Sequence, residues 1–271
     1  MEKLNEIFYN TKSGYMSKNR FIKVAKLLKV SYKDASEYYD KQAVNQIYKK
    51  QNQSKKYTPI ESPRYEPGDL QIDLMIMSKF PKNQNKGYQY MLNILDVYSR
   101  YVKSYPIKTK SDKEVFIHVE QYVKEFRKIY PKNKISVTID NGSEFKGKVK
   151  KFFNDEGIKI YIATPNENTK MRNMLVERYH RTFWEKLRKI LTHEESLKWI
   201  NYYEDITENY NNSIHSRTKM SPKSIFIDKE ERSLDSLVYA KNKNTLNVGD
   251  IVRILKNKKL FTKNRLLLIG L

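Results

Sequence analysis

The sequence predicts an α/β protein built on one mixed sheet, and three observations lead to that reading. Leu70–Met77, Tyr90–Val97 and Tyr101–Ile107 are short runs rich in β-formers, the last two separated by a Ser99-Arg100 bend, as in an antiparallel meander. The pattern then changes: Val115, Val119, Tyr122, Val123, Phe126 and Ile129 recur at helical spacing ahead of Pro131. Two further β-rich runs, Ile135–Ile139 and Ile158–Ala163, enclose a basic helix that carries Lys146, Lys148, Lys150 and Lys151. A chain of 271 residues has room for one substantial core and one or two small modules.

Taken in order, residues 1–48 read as a small helical module. Phe8–Tyr15 is a turn-rich lead-in, and Ser17–Leu28 has Phe21, Ile22, Val24, Ala25, Leu27 and Leu28 at helical spacing. A second helix is predicted after Ser31, its Ala35, Tyr38, Tyr39 and Val44 packing on the first, which suits a helix-turn-helix or a plain helical cap. Residues 49–67 form a basic linker stiffened by Pro59, Pro63 and Pro67. The core spans 68–230. Within it Ser111 and Glu114 make a capping-box pattern, residues 164–173 form a polar loop, and Leu197–Tyr210 has the spacing of another helix.

Three acids organise this core: Asp73 in the first strand, Asp140 after the fourth, and Glu177 on the helix that follows the polar loop. Sixty-six residues separate the aspartates and thirty-six separate Asp140 from Glu177, so they meet only if two strands and a later helix converge. Hard divalent cations take oxygen ligands, and a few carboxylates can hold two of them ~4 Å apart for in-line attack on a phosphodiester. Glu144 and Glu185 read as surface or cap residues.

The residues around these acids carry a resemblance. Asp140-Asn141-Gly142-Ser143-Glu144-Phe145, Val176-Glu177-Arg178-Tyr179-His180-Arg181-Thr182 and the Tyr210–Pro222 segment follow the early Asp73 in one order over roughly residues 65–225. In these motifs the chain resembles the DDE integrases of retroviruses, long-terminal-repeat retrotransposons and Maverick/Polinton elements. The resemblance implies an RNase H-like catalytic core in which Asp73, Asp140 and Glu177 are the catalytic, metal-binding carboxylates for two Mg²⁺ ions, with Mn²⁺ as a substitute. It further implies a polynucleotidyl transferase and endonuclease that trims the 3′ ends of element or viral DNA and joins them to target DNA, working as a homo-multimer on double-stranded DNA. A bacterial-type DDE transposase, or a DNA-binding remnant with an idle centre, is the alternative.

Several features depart from the retroviral pattern. The chain has no Cys, and His118, His180, His193 and His215 all fall inside or after the core, so the His-His-Cys-Cys zinc module is expected to be absent. The helical leader favours the Maverick/Polinton layout. Asn247–Leu255 resembles the opening strand of an SH3-like or chromo-like barrel, but Val248 to Leu271 supplies 24 residues, where five strands need roughly 50. Residues 245–271 are therefore expected to be an incomplete, basic DNA-binding segment.

Charge points to the same partner. With 53 Lys and Arg against 31 Asp and Glu, the net charge is +22, a field that draws phosphate backbones. The candidate DNA contacts are Lys170 and Arg172 in the loop and Arg178, His180, Arg181 and Arg188 on the following helix. Glu177, His180, Arg181, Trp184 and Arg188 share one helical face. No apolar stretch is long enough to span a bilayer. The expectation is a soluble intracellular protein without membrane contact, nuclear in a eukaryotic host.

Overall fold

The computed structural model describes residues 2–47, 65–163 and 173–232. Its strands are β1 (Asp69–Ile76), β2 (Tyr90–Asp96), β3 (Val102–Ile107), β4 (Ser136–Ile139) and β5 (Lys159–Ile162). The helices are α1 (Glu2–Tyr9), α2 (Lys18–Leu27), α3 (Tyr32–Lys41), α4 (Ala43–Ile47), α5 (Asp112–Ile129), α6 (Lys148–Asp155), α7 (Met174–His193), α8 (Tyr203–Asn212) and α9 (Pro222–Phe226). The strands form one sheet in the order β3-β2-β1-β4-β5. β1, β2 and β3 are the predicted antiparallel meander, whereas β4 runs parallel to both β1 and β5. This is the mixed α/β sheet, in RNase H-like element order, that the sequence led us to expect.

Alternation along the strands separates two cores. Leu70, Ile72, Leu92, Ile94, Tyr105 and Ile107 face the layer of α5 and α6, where Val115, Val119, Phe126 and Phe153 close a buried cluster. Met75, Met77, Met91, Leu95 and Val102 face the opposite layer and pack on Val176, Tyr179, Phe183, Leu187 and Ile190 of α7. Each such side chain gains roughly 1.5–3 kcal/mol by leaving water.

Residues 2–47 have an apolar cluster of their own, built on Leu4, Phe8, Phe21, Ala25 and Tyr38. They also dock on the core: Tyr9 stacks on His193 at 3.9 Å, Thr11 donates to Asp205 at 2.8 Å, and Lys189 donates to Asn45 at 2.8 Å. One correction concerns Phe8 and Tyr9. They end α1 rather than opening a turn-rich stretch, and the turn begins at Asn10, whose Oδ1 accepts from the amides of Lys12 and Ser13. A second concerns Leu197–Tyr210, which is a 3₁₀ turn at Trp199–Asn201 followed by α8. Buried Asn85 takes the backbone there, donating to Leu197 O at 3.0 Å and accepting from Ile200 N at 3.3 Å. The capping box is also only half formed. Ser111 accepts from the Glu114 amide, but the Glu114 carboxylate turns to the amides of Lys108 and Thr109. The predicted linker falls largely, and the C-terminal segment wholly, outside the described residues.

Asp96 serves the fold. Fully buried at the end of β2, it accepts from Gly68 N at 2.8 Å, Ser99 N at 2.7 Å and Ser99 Oγ at 2.6 Å, tying the start of β1 to the bend before β3. Burial pushes its pKa up to about 6 against the pull of those bonds. Asn211 of α8 performs a similar task at the sheet edge, bonding both the N–H (3.0 Å) and the C=O (2.8 Å) of Val102. Replacing Asp96 with Ala strands two buried amides, each costing about 1–3 kcal/mol. Urea unfolding of Asp96→Ala is expected to show a loss of at least ~2 kcal/mol.

Candidate active site

Asp73 lies mid-way along the central strand, on the face covered by α7. Register places Asn93 of β2 directly opposite it, and Ser104 of β3 opposite Asn93, so the three form a polar row across the meander. The row continues into the helical layer. Ser104 Oγ donates to Asn93 Oδ1 at 2.7 Å and meets Tyr179 Oη at 2.9 Å, and Tyr179 Oη meets Thr207 Oγ1 of α8 at 2.9 Å. Because Ser104 occupies the amide oxygen, the Asn93 NH₂ faces His180 Nε2, 2.9 Å away. Nε2 is therefore the acceptor, and the ring proton sits on Nδ1, 3.8 Å from Asp73 Oδ2. Burial drops the His180 pKa to about 4, which keeps the ring neutral at ordinary pH.

The Asp73 carboxyl is pushed up to about 7, first by burial and then by the like charges of Asp140, Glu177 and Glu144, against one bond from the Leu74 amide. Asp140 follows β4, which is parallel to β1 and adjacent to it, and its Oδ1 accepts from Gly142 N at 2.9 Å. Glu177 is exposed in the first turn of α7. The two motif acids outside β1 thus stand toward solvent, with Asp73 deeper between sheet and helix.

Two positioning residues escaped the sequence reading. Buried Gln71, two positions before Asp73 on the same face of β1, accepts from the amides of Leu175 (3.0 Å) and Val176 (3.1 Å). It does the work of an N-cap, since Asn173 makes no side-chain cap there. A polar residue inside an apolar strand, in phase with the candidate acid, was the available signal. Glu144 is the second, and here the expectation is corrected: it is buried rather than on the surface, and it adds its charge to Asp73. Gly142 separates it from Asp140. A Cβ on Gly142 would stand 2.6 Å from Glu144 Oε2 and 2.9 Å from Asp140 Oδ1, so any side chain there collides with both carboxylates.

The basic candidates divide into three groups. Arg178, Arg181 and Arg188 are exposed on α7, and Arg188 lies over Trp184, whose other cation is Lys79 at 3.6 Å from the ring. His180 faces inward, as described. Lys170 and Arg172 lie outside the described residues. His215 accepts from Arg217 N at 3.2 Å within the segment after α8, in keeping with a structural role.

Among the described residues no three acidic or histidine side chains stand together closely enough to hold a metal ion. The chemistry of the donors nevertheless fits a hard divalent cation: they are carboxylate oxygens, and Asp73 feels three like charges while the imidazole 3.8 Å from it is neutral. Likewise, no helix among the described residues is long and apolar enough to cross a membrane.

Residues 65–167 match the integrase core domain family. The matched span holds Asp73, Asp140 and the five strands, and it ends before Glu177. The chain is 25% identical over 175 residues to the retrovirus-related Pol polyprotein from transposon opus of Drosophila melanogaster, covering 65% of this chain and 16% of that protein. It is also 25% identical over 189 residues to a transposon-derived protein of Caenorhabditis elegans, covering 69% of this chain and 62% of the other. The chain thus spans only part of the length of both relatives. Among solved structures, the catalytic core domain of BIV integrase aligns with a TM-score of 0.44 and 15% identity over 59% of this chain and 94% of that one.

The integrase-like core stores a testable electrostatic cost. The Asp73 pKa rises on folding from 3.8 to about 7. Stability tied to this carboxyl is therefore fully present below the unfolded value and is lost as pH climbs through the folded one. Without divalent cations, Asp73→Asn should melt several degrees above wild type at pH 8, the gap closing as pH falls toward 4. Equal melting temperatures at pH 8 would refute the cost of ionising Asp73 in its half-buried position.

Proposed function

We propose that the chain is a DDE integrase that processes the 3′ ends of element or viral DNA and transfers them into target DNA. The observation that carries this reading is the polar row under α7 that ends on half-buried Asp73, within electrostatic reach of Asp140 and Glu177, the acids that the integrase motifs supply. Residues 1–47, helical and without cysteine, favour the Maverick/Polinton layout over the retroviral one.

In this reading Asp73, Asp140 and Glu177 hold two Mg²⁺ ions, or Mn²⁺, which when bound would supply the positive charge that phosphoryl transfer needs. The chain's own residues position the reaction. His180 steadies the Asp73 carboxylate from behind, Gln71 fixes the first turn of α7 and with it Glu177, and Glu144 adds negative charge that strengthens attraction for cations. Arg178, Arg181 and Arg188, with Lys170 and Arg172, hold the DNA backbone so that the scissile phosphate and the attacking oxygen are in line. Water first opens the phosphodiester near the element's end, and the freed 3′-hydroxyl then attacks a phosphodiester of the target, whose own 3′ oxygen departs. Double-stranded DNA and further copies of the same chain are the partners, with the nucleus as the compartment in a eukaryotic host.

Strand transfer with labelled duplexes carrying the element's terminal repeats tests this directly. Wild type is expected to join ends in Mg²⁺ or Mn²⁺, and Glu177→Gln to lose at least ~100-fold while still binding DNA, because an interaction realised only in the transition state is removed. Mg²⁺ should also raise the melting temperature of wild type at pH 8 and leave that of Asp73→Asn unchanged. Joining by Glu177→Gln at the wild-type rate would sink the assignment.

A further inference from the structure

A cavity in the described part of the molecule lies away from the three acids. It encloses about 1090 Å³ between the N-terminal helices and α7. Lys186, one of its lining residues, is nine positions beyond Glu177, which at 3.6 residues per turn puts it ~180° around the helix. The cavity therefore lies on the flank of α7 turned away from Glu177, Arg181 and Arg188, and Arg178, next to Glu177, stands at the border of the two sides.

Its lining is strongly basic. Arg20 of α2 and Arg178, Lys186 and Lys189 of α7 contribute, against the acids Asp40 and Glu185. Asp40 is already engaged by Lys18. Lys186 donates only to a neutral acceptor, Asn209 Oδ1, at 3.1 Å. Arg20 is half-buried and makes no hydrogen bond or ion pair with any described residue. Burial, helped by the nearby charges of Arg20 and Lys189 and opposed by that of Glu185, drops the Lys186 pKa to about 7. Cations that outnumber the acids in a half-enclosed space, Arg20 and Lys186 among them repelling one another, are arranged for an anion that comes from outside.

The spacing indicates what sort of anion. Arg178 to Lys189 is eleven residues of helix, ~16 Å at 1.5 Å per residue, and a nucleic-acid strand advances about 3.4 Å per phosphate. A row of that length suits several consecutive phosphates better than one small ion. We infer that the cleft between the N-terminal helices and α7 is a second nucleic-acid backbone site, which grips DNA on the side of α7 opposite the carboxylates. The identity of the polyanion as DNA rests on the integrase reading; the anion site itself does not.

Salt-dependent binding of a fluorescent duplex tests it, with Lys186→Gln/Arg20→Gln compared against wild type. Each lost phosphate contact should lower the slope of log K against log salt by about 0.9, so the double variant is expected to lose close to two units of slope and at least ~10-fold in affinity at low salt. Arg20→Gln alone, which breaks no hydrogen bond, should lose about one unit and guards against misfolding of the double variant. Tripolyphosphate, followed by thermal shift, forms a second arm. Unchanged slope and affinity in both variants would overturn the proposal, and loss of tripolyphosphate binding with intact DNA binding would overturn its assignment to nucleic acid. If wild type fails at strand transfer while the slope still depends on Arg20 and Lys186, the integrase reading falls and the backbone site stands.

Discussion

The contact on which the site depends is the hydrogen-bonded line that runs from Ser104 through Asn93 to His180. It joins two strands of the meander to α7 across an interface that is otherwise apolar. Apolar packing between helix and sheet is non-directional and tolerates sliding. Polar partners buried in that interface do not, because each must find its mate or lose it without compensation from water. Gln71 acts in the same way at the start of α7, and the two anchors together set where Glu177 stands relative to Asp73. The chemistry proposed for this chain thus depends on side chains that never touch a substrate.

Charge is distributed with the same economy. The molecule is overwhelmingly basic, yet Asp73 feels the like charges of Asp140, Glu177 and Glu144, and the cations of α7 lie to either side of its buried stripe. One flank accompanies Glu177, and the other lines the cleft against the N-terminal helices. The half-buried position of Asp73, more than its individual neighbours, makes its ionisation costly. That cost is what a bound cation would relieve.

The sheet and its covering helices were legible in the sequence because alternation and helical spacing are strong there. Asp69–Ile76 and Asp112–Ile129 fell within a residue or two of the expected bounds. α1 was obscured because its few apolar residues lead straight into the turn signals of Asn10–Gly14. The 3₁₀ turn at Trp199–Asn201 was read as α-helix because local spacing cannot report that Asn85, more than a hundred residues earlier, captures its backbone. The three acids were legible only as an ordered set with motif neighbours. The roles of Gln71 and Glu144 were not, since a helix cap supplied by a distant strand and the burial of an acid beside a glycine turn exist only once the chain is folded.

The alignment of Asp73, Asn93 and Ser104 has a bearing on how the sheet forms. A one-residue slip between β1 and β2 would turn every apolar side chain to the wrong face, and hydrophobic burial alone rejects it. A two-residue slip would preserve the faces and much of the burial, but it would set Gln71 or Met75 opposite Asn93 in place of Asp73. The polar row is then a key cut to a single alignment of an otherwise repetitive pairing. A chain that folds past it in the wrong frame loses its helix anchors, and with them the placement of Asp73 opposite Asn93.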